Sequence, residues 1–331
     1  MKHNTTLKKI SHILDISIST VSRALKDHPD ISDKTKKKVI ELADTLEYEP
    51  NTYAINLRTN NSRVFTLMVP SVTYYFYDSF ISSIEEECRK SGYSLMILQS
   101  GDNTETELTN LKLSRQNRVS GLFVCITPNT TDIAPFLKLN ELDIPVIFFD
   151  KVPDYEACNK VCVADTQAAK IAAEFILKKQ KKKILGLFGN INMSITKKRL
   201  DAFTGVFQQP NVKAKLITGF ALSADDARNK TIESLTSKSK PDTIFCMSDE
   251  ILTGAMKAIQ ELHLAIPKDI SVISISNGII PKLYYPEITY VETSGYKLGK
   301  LAFTRMMGCL SGSTFMQELI VESLLIEGGS L

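Results

Sequence analysis

Between residues 7 and 46 the hydrophobic positions recur at helical spacing in three short blocks. Leu7, Ile10 and Leu14 fall at i, i+3 and i+7 behind Thr6, a residue type that caps helix starts. The pattern breaks across Asp15, Ile16 and Ser17, where Asp can take the left-handed backbone of a tight turn and Ser17 can cap the next helix. That second helix is expected to run to about Lys26, with Val21, Ala24 and Leu25 on its apolar side. A third is expected from near Ser32, with Val39, Leu42, Ala43 and Leu46 facing inward. Three helices around a small core, the second one exposed, predict a helix-turn-helix unit.

From Arg63 onward the period changes. Apolar runs at 64–69, 94–98, 121–126, 145–149, 183–188, 243–247 and 270–275 read as strands. Between them lie helical spacings such as Phe80, Ile84 and Cys88, or Ile251, Ala255, Ile259 and Leu262. Alternation over so long a stretch predicts doubly wound parallel sheets with helices on both faces, joined by right-handed crossovers. The unit occurs twice, divided by a polar break with Pro153 at 150–162, so two lobes are expected. Residues 321–326 read as a last strand and 327–331 as a tail, with no leucine heptad, so a dimer without a tetramerisation helix is expected.

Composition narrows the class. With 43% hydrophobic and 23% charged residues the chain of 331 can bury substantial cores. No apolar run nears the ~20 residues that span a bilayer, and the polar start lacks a signal-peptide core, so a soluble cytoplasmic protein is expected, without membrane partners. Six scattered cysteines read as reduced core residues. The net charge of +3 hides an asymmetry, because residues 1–40 carry nine Lys/Arg against four Asp and the remainder is slightly acidic. Such a segment suits contact with a polyanion, and equally a solvated charge run. Near the start of the second helix, Ile18, Ser19, Thr20, Ser22 and Arg23 could approach base edges or phosphates.

The run Ser17, Ile18, Ser19, Thr20, Val21, Ser22, Arg23, Ala24, Leu25, followed by Ile31, Ser32 and Thr35, resembles the amino-terminal domain of LacI/GalR (lac-repressor-type) transcriptional regulators. The match continues through Leu46, Glu47, Tyr48, Glu49, Pro50, Asn51, Ala54, Leu57 and Arg58. In the body it includes Val69 with Pro70, Arg118 to Gly121, Ile144 to Val146, Phe149 with Asp150, Asp165 with Thr166, Arg199 with Phe203, Ser248 with Asp249, and Ile266 with Pro267. The resemblance implies a helix-turn-helix domain over 1–50 and a hinge at 51–62 that orders on operator DNA. It also implies a periplasmic-binding-protein-like effector and dimerisation body over 63–331. The body's amino-terminal lobe would take about 63–162 plus 294–322, and the other lobe 163–293 plus 323–331, with crossings near Val163, Glu292 and Ser323. Leu57 would wedge into the minor groove, as an apolar side chain on a segment that folds on binding can do. Thr6, Leu7, Asn51 and Ala54 complete the DNA-contacting set that begins with Ile18, Ser19, Thr20, Ser22 and Arg23. Two departures from the common pattern are Asp15 where Gly is usual and Ser11 where Ala is usual.

For the effector the resemblance points to a cleft at the carboxyl ends of the strands, holding Tyr77, Asp150, Arg199 and Asp249. Asp150 and Asp249 each follow an apolar strand, and Arg199 can fork onto a carboxylate, phosphate or diol. Read locally, Asp150 could equally be a turn residue, Asp249 a helix cap and Arg199 a surface ion-pair partner. Where many relatives have an acidic pair this chain has Ser276 and Asn277, which could bind a polyol or acid neutrally. The effector class that the resemblance implies is a small polar metabolite, a sugar or sugar derivative.

No catalytic, cofactor or metal site is expected. The four histidines (His3, His12, His28, His263) are dispersed, and no nucleophile elbow, P-loop or dinucleotide glycine triplet occurs. Cys158 and Cys162 lack zinc-knuckle spacing. The reading is a homodimeric, effector-controlled repressor on a pseudo-palindromic operator. Its alternative is a ligand-binding protein of the periplasmic type without DNA function.

Overall fold

The computed structural model describes residues 6–48 and 62–331. They fall into two compact units, one ending at Ser62 and one running from Arg63 to Leu331.

The first unit is three helices, α1 (Leu7–Leu14), α2 (Ile18–Ala24) and α3 (Asp33–Thr45). Thr6, Ser17 and Ser32 cap them, each side-chain oxygen accepting a backbone N–H three residues on. Asp15 takes the left-handed conformation (φ 50°) that the turn after α1 requires. Ile10, Val21, Ala24, Val39 and Ala43 form the buried core, and Leu7, Leu14, Leu42 and Leu46 pack around it. The second helix ends at Ala24, two residues before the expected Lys26.

The second unit contains two six-stranded sheets. The first has the order β11-β5-β4-β3-β1-β2, all parallel, from β1 (Val64–Val69), β2 (Ser94–Gln99), β3 (Gly121–Val124), β4 (Val146–Phe149), β5 (Asn159–Val163) and β11 (Glu318–Val321). The second has the order β12-β10-β9-β8-β6-β7, from β6 (Lys183–Phe188), β7 (Lys215–Phe220), β8 (Thr243–Cys246), β9 (Ser271–Ser276), β10 (Thr289–Glu292) and β12 (Leu324–Ile326). Only β12 runs antiparallel, against β10. Helices α4 (Tyr75–Lys90), α5 (Thr104–Gln116), α6 (Ala134–Leu137) and α11 (Gly295–Leu310) belong to the first lobe, and α7 (Asp165–Lys178), α8 (Ser194–Phe207), α9 (Ala224–Thr236) and α10 (Asp249–Glu261) to the second.

Parallel strands covered on both faces read as continuous apolar runs, which is why β1, β3, β4, β6 and β8 were visible as such. Three strands, β5, β7 and β10, carry Asn, Lys, Gly, Thr or Glu in short segments and give no such run. The single strand expected at 321–326 is instead two. β11 ends at Val321 in the first sheet, Ser323 is buried at the passage, and β12 begins at Leu324 in the second. Helix α11 lies so close on α4 that a Cβ on Gly295 or Gly299 would fall within 3 Å of Ser79 or Ser83, so this seam requires glycine. Phe80 of α4 then stacks on Phe149 of β4 at 4.0 Å between centroids, which fixes the helix over the strand ends.

Candidate functional site

In the first unit the residues expected to meet DNA are mostly exposed. Ile18 is 47% exposed, a placement no core residue needs. Ser17, Ser19 and Thr20 form a hydroxyl cluster at the start of α2, with Ser17 Oγ 2.7 Å from Ser19 Oγ and 2.8 Å from Thr20 Oγ1. Arg23 is exposed and only loosely paired, its Nη1 3.8 Å from Asp30 Oδ2. Ser22 is half-buried on the same helix. Thr6 caps α1, and Leu7 packs on the core edge. Of the basic cluster at the start of α3, Lys36 turns inward onto Asp27 (2.7 Å), while Lys34, Lys37 and Lys38 stay exposed. Asn51, Ala54 and Leu57, with all of the hinge but Ser62, lie outside the described residues.

In the second unit a cavity of about 580 Å³ opens between the two lobes. Its wall is made where strands end: Asp102 after β2, Asp150 and Lys151 after β4, Gly189 and Asn190 after β6, Ala221 after β7, Met247, Ser248 and Asp249 after β8, Thr293 after β10. The carboxyl ends of parallel strands leave such a crevice because each chain turns away there into a helix. Tyr77, Asp150, Arg199, Asp249 and Ser276 all line it.

Tyr77, Arg199 and Asp249 are each held by other polar groups. Tyr77 donates its hydroxyl to Asp150 Oδ2 at 2.7 Å, with Cys125 Sγ at 3.1 Å, and its ring meets Phe149 edge-on. Burial, followed by the charge of Asp150, pushes the Tyr77 phenol well above its ordinary value, so it remains a donor. Burial likewise pushes the Cys125 thiol up to about 12. Asp150 combines both local readings, standing at a turn in the left-handed conformation (φ 57°) while lining the cavity.

Arg199 is no surface ion-pair partner. Its side chain is 6% exposed, its Nε donates to Asp165 Oδ1 at 2.8 Å, and its Nη1 donates to the Met247 carbonyl at 2.6 Å. A buried guanidinium held this way has its remaining N–H groups pre-aimed. Burial raises the Asp165 carboxyl, with Arg199 opposing. Asp249 opens α10, but the helix cap is Ser248. Asp249 accepts the Ser276 hydroxyl at 2.5 Å and the Asn277 N–H at 3.2 Å. Burial still lifts its carboxyl to about 6.

Asn277 stands outside the lining, behind Asp249. Its side-chain amide reaches across to the first lobe, donating to the Tyr75 carbonyl at 2.5 Å. Among the lining or supporting residues that escaped the sequence reading as site residues are Tyr74, Asp102, Lys151, Asp165 and Glu250. Asp102, Lys151 and Glu250 neighbour or repeat a visible signal, a charged residue just past an apolar run, whereas Asp165 follows β5, which gives no such run. Tyr74 lies in the aromatic run 74–77.

Comparison with known proteins follows this division. A family model described as "Bacterial regulatory proteins, lacI family" matches residues 6–51, and one described as "Periplasmic binding proteins and sugar binding domain of LacI family" matches residues 62–320. The chain is 24% identical over 300 residues to the HTH-type transcriptional repressor PurR of Vibrio atlanticus (strain LGP32), covering 90% of both chains. It is 24% identical over 320 residues to the NTD biosynthesis operon regulator NtdR of Bacillus subtilis (strain 168), covering 96% of both. The solved lac repressor dimer bound to operator and the anti-inducer ONPF superposes with a TM-score of 0.87 at 21% identity, over 98% of each chain. Among the described residues no helix is long and apolar enough to cross a membrane.

Proposed function

The chain belongs to the LacI family of bacterial regulatory proteins and is a DNA-binding transcriptional regulator with a ligand-binding body, and from this premise we propose that it is a homodimeric repressor controlled by a carbohydrate-related metabolite held between its lobes. The observation that carries the proposal is the cavity: about 580 Å³ between two sheets, with an aromatic side and inward-facing carboxylates and a guanidinium that suit hydroxyl groups. The named relatives are regulators, and this chain is read as a regulator rather than an enzyme.

The DNA-contacting set in this reading is Thr6, Leu7, Ile18, Ser19, Thr20, Ser22, Arg23, Asn51, Ala54 and Leu57. The effector set is Tyr77, Asp150, Arg199, Asp249 and Ser276, with Asn277 supporting Asp249. One short recognition helix gives few base contacts, so two copies on a pseudo-palindrome are required for specificity. Exposed apolar side chains on the outer strands and their neighbours support pairing: Ile97 on β2, Leu108 and Leu113 on α5, Ile217 and Phe220 on β7, and Leu222 just after it. Effector and operator are then coupled through hinge order, the ligand favouring one lobe arrangement. Cytoplasmic location follows from an operator as partner.

The test is a thermal-shift and calorimetric screen of sugars and sugar derivatives against the full-length chain, with Arg199→Lys beside it. Lys keeps the charge facing Asp165 but loses the fork, so a cavity ligand should bind on the order of tenfold more weakly. Ligands indifferent to Arg199→Lys would remove the cavity from the account. Sedimentation at low micromolar concentration should give a dimer; a stable tetramer or a monomer contradicts that part.

A further inference from the structure

The cavity is short of positive charge. Asp102, Asp150, Asp249 and Glu250 line it, and Asp165 stands directly behind, against two cations, Lys151 and Arg199. Arg199 is already committed to Asp165. Lys151 lies 3.7 Å from Asp102 and in the field of Asp150. Among the described residues no cation stands within ion-pair distance of Asp150, Asp249 or Glu250.

Asp150 is the most telling of these. The residue is 6% exposed and its Oδ2 takes the Tyr77 hydroxyl, yet its Oδ1 accepts no hydrogen bond from any described residue while the side chain lines the cavity. Lys151 is the nearest counter-charge but is shared with Asp102, so a cation brought by the ligand adds the partner that Oδ1 lacks. Tyr74, on the same wall, offers a ring face that already has the Lys151 ammonium 6.0 Å from its centroid, the kind of surface that favours cations.

We propose that the effector is a small polyhydroxylated molecule carrying a protonated amine, seated with its ammonium group on Asp150 Oδ1. This rests on the reading of the cavity as the effector site and narrows it. A phosphorylated or carboxylated sugar would add negative charge to a wall already in excess of it, and a neutral sugar would bring hydroxyl donors but no positive charge.

The electrostatics give a second signature. Asp249 is faced by Glu250 on its own helix, Arg199 from α8, Cys246 and Ser276 from neighbouring strands and Tyr290 from β10, and burial leaves its carboxyl near 6. An ammonium ligand in the cavity favours the ionised form, so its binding near pH 6 releases protons.

The experiment is calorimetry on the full-length chain with four matched groups: glucosamine, galactosamine and mannosamine, their N-acetyl forms, the parent hexoses and the hexose 6-phosphates. At least one amine should bind on the order of tenfold more tightly than both its N-acetyl form and its parent, equivalent to about 1.4 kcal/mol. Titration at pH 6 in buffers of different ionisation enthalpy should show proton release, and Asp150→Asn should erase the preference. The amine comparison is made on the unaltered protein and does not depend on the variant folding. A neutral or phosphorylated member that binds as well or better, and responds to Arg199→Lys, keeps the cavity and overturns the amine. Binding that ignores Arg199→Lys overturns both readings. A panel with no amine preferred overturns the proposal.

Discussion

The two recognition surfaces of this chain are built in opposite ways. The DNA-facing helix α2 is seven consecutive residues, with Ile18, Ser19 and Arg23 exposed and Val21 and Ala24 buried, on a core of five buried hydrophobic residues. The effector cavity draws on residues from 74 to 293, gathered from the ends of strands in two sheets, and its key carboxylates and guanidinium are about nine-tenths buried or more. An exposed surface for a polyanion needs little stability, because phosphates and bases supply the partners when they arrive. A buried polar surface must satisfy itself before the ligand comes, which is why Arg199 has Asp165 and Asp249 has Ser276.

That contrast can be broken most forcefully at Arg199. Arg199→Ala leaves Asp165 buried and unpaired, so the body should lose about 3–5 kcal/mol, read by denaturant unfolding. Unfolding of the first unit, followed separately, should not change. The mirror test is Ile10→Ala, which removes the one isoleucine at the centre of the three-helix core and should cost that unit about 2–5 kcal/mol. DNA binding should be lost while the body's unfolding and effector binding persist.

Asp249 sharpens the comparison through pH. Its carboxyl titrates near 6 when folded and at 3.8 when unexposed to the fold, so the folded state keeps a proton that the unfolded chain gives up. Its stabilising contribution is whole below pH 3.8 and is lost as pH rises through about 6, a difference on the order of 2–3 kcal/mol. Asp249→Asn should flatten the stability profile of the body in that window. An unchanged profile would show that Asp249 is solvated. The smallest effect is at the surface: Arg23→Ala should weaken specific binding by about 1–3 kcal/mol with little change on random DNA, and equal loss on both would make Arg23 a phosphate contact.

The same contrast explains what the sequence made legible. The three helices could be read from spacing and caps because all their determinants are local: Thr6, Ser17, Ser32 and Asp15 act within three residues of themselves. Central strands of the body were legible as apolar runs. β5, β7 and β10 were not, since their residues are fixed by register with neighbours far along the chain, as Lys160 is by pairing with β11 and β4. By spacing alone β11 and β12 looked like one strand, because nothing in the run 321–326 signals a change of sheet; the crossing near Ser323 came only from the family resemblance. In the cavity, Asp150 and Asp249 stood out as charges following apolar strands. Asp165 did not stand out as a site residue, because its role is a contact with Arg199, 34 positions away.

In the proposed homodimer the first unit reads DNA sequence as one half of a symmetric pair. The most direct measurement is selection from a random duplex pool by the purified full-length protein at near-physiological salt, with and without the tightest-binding member of the calorimetric panel. A recovered palindrome with a fixed centre, whose enrichment changes with the ligand, is the predicted result. Recovery of unrelated sequences under both conditions would contradict it.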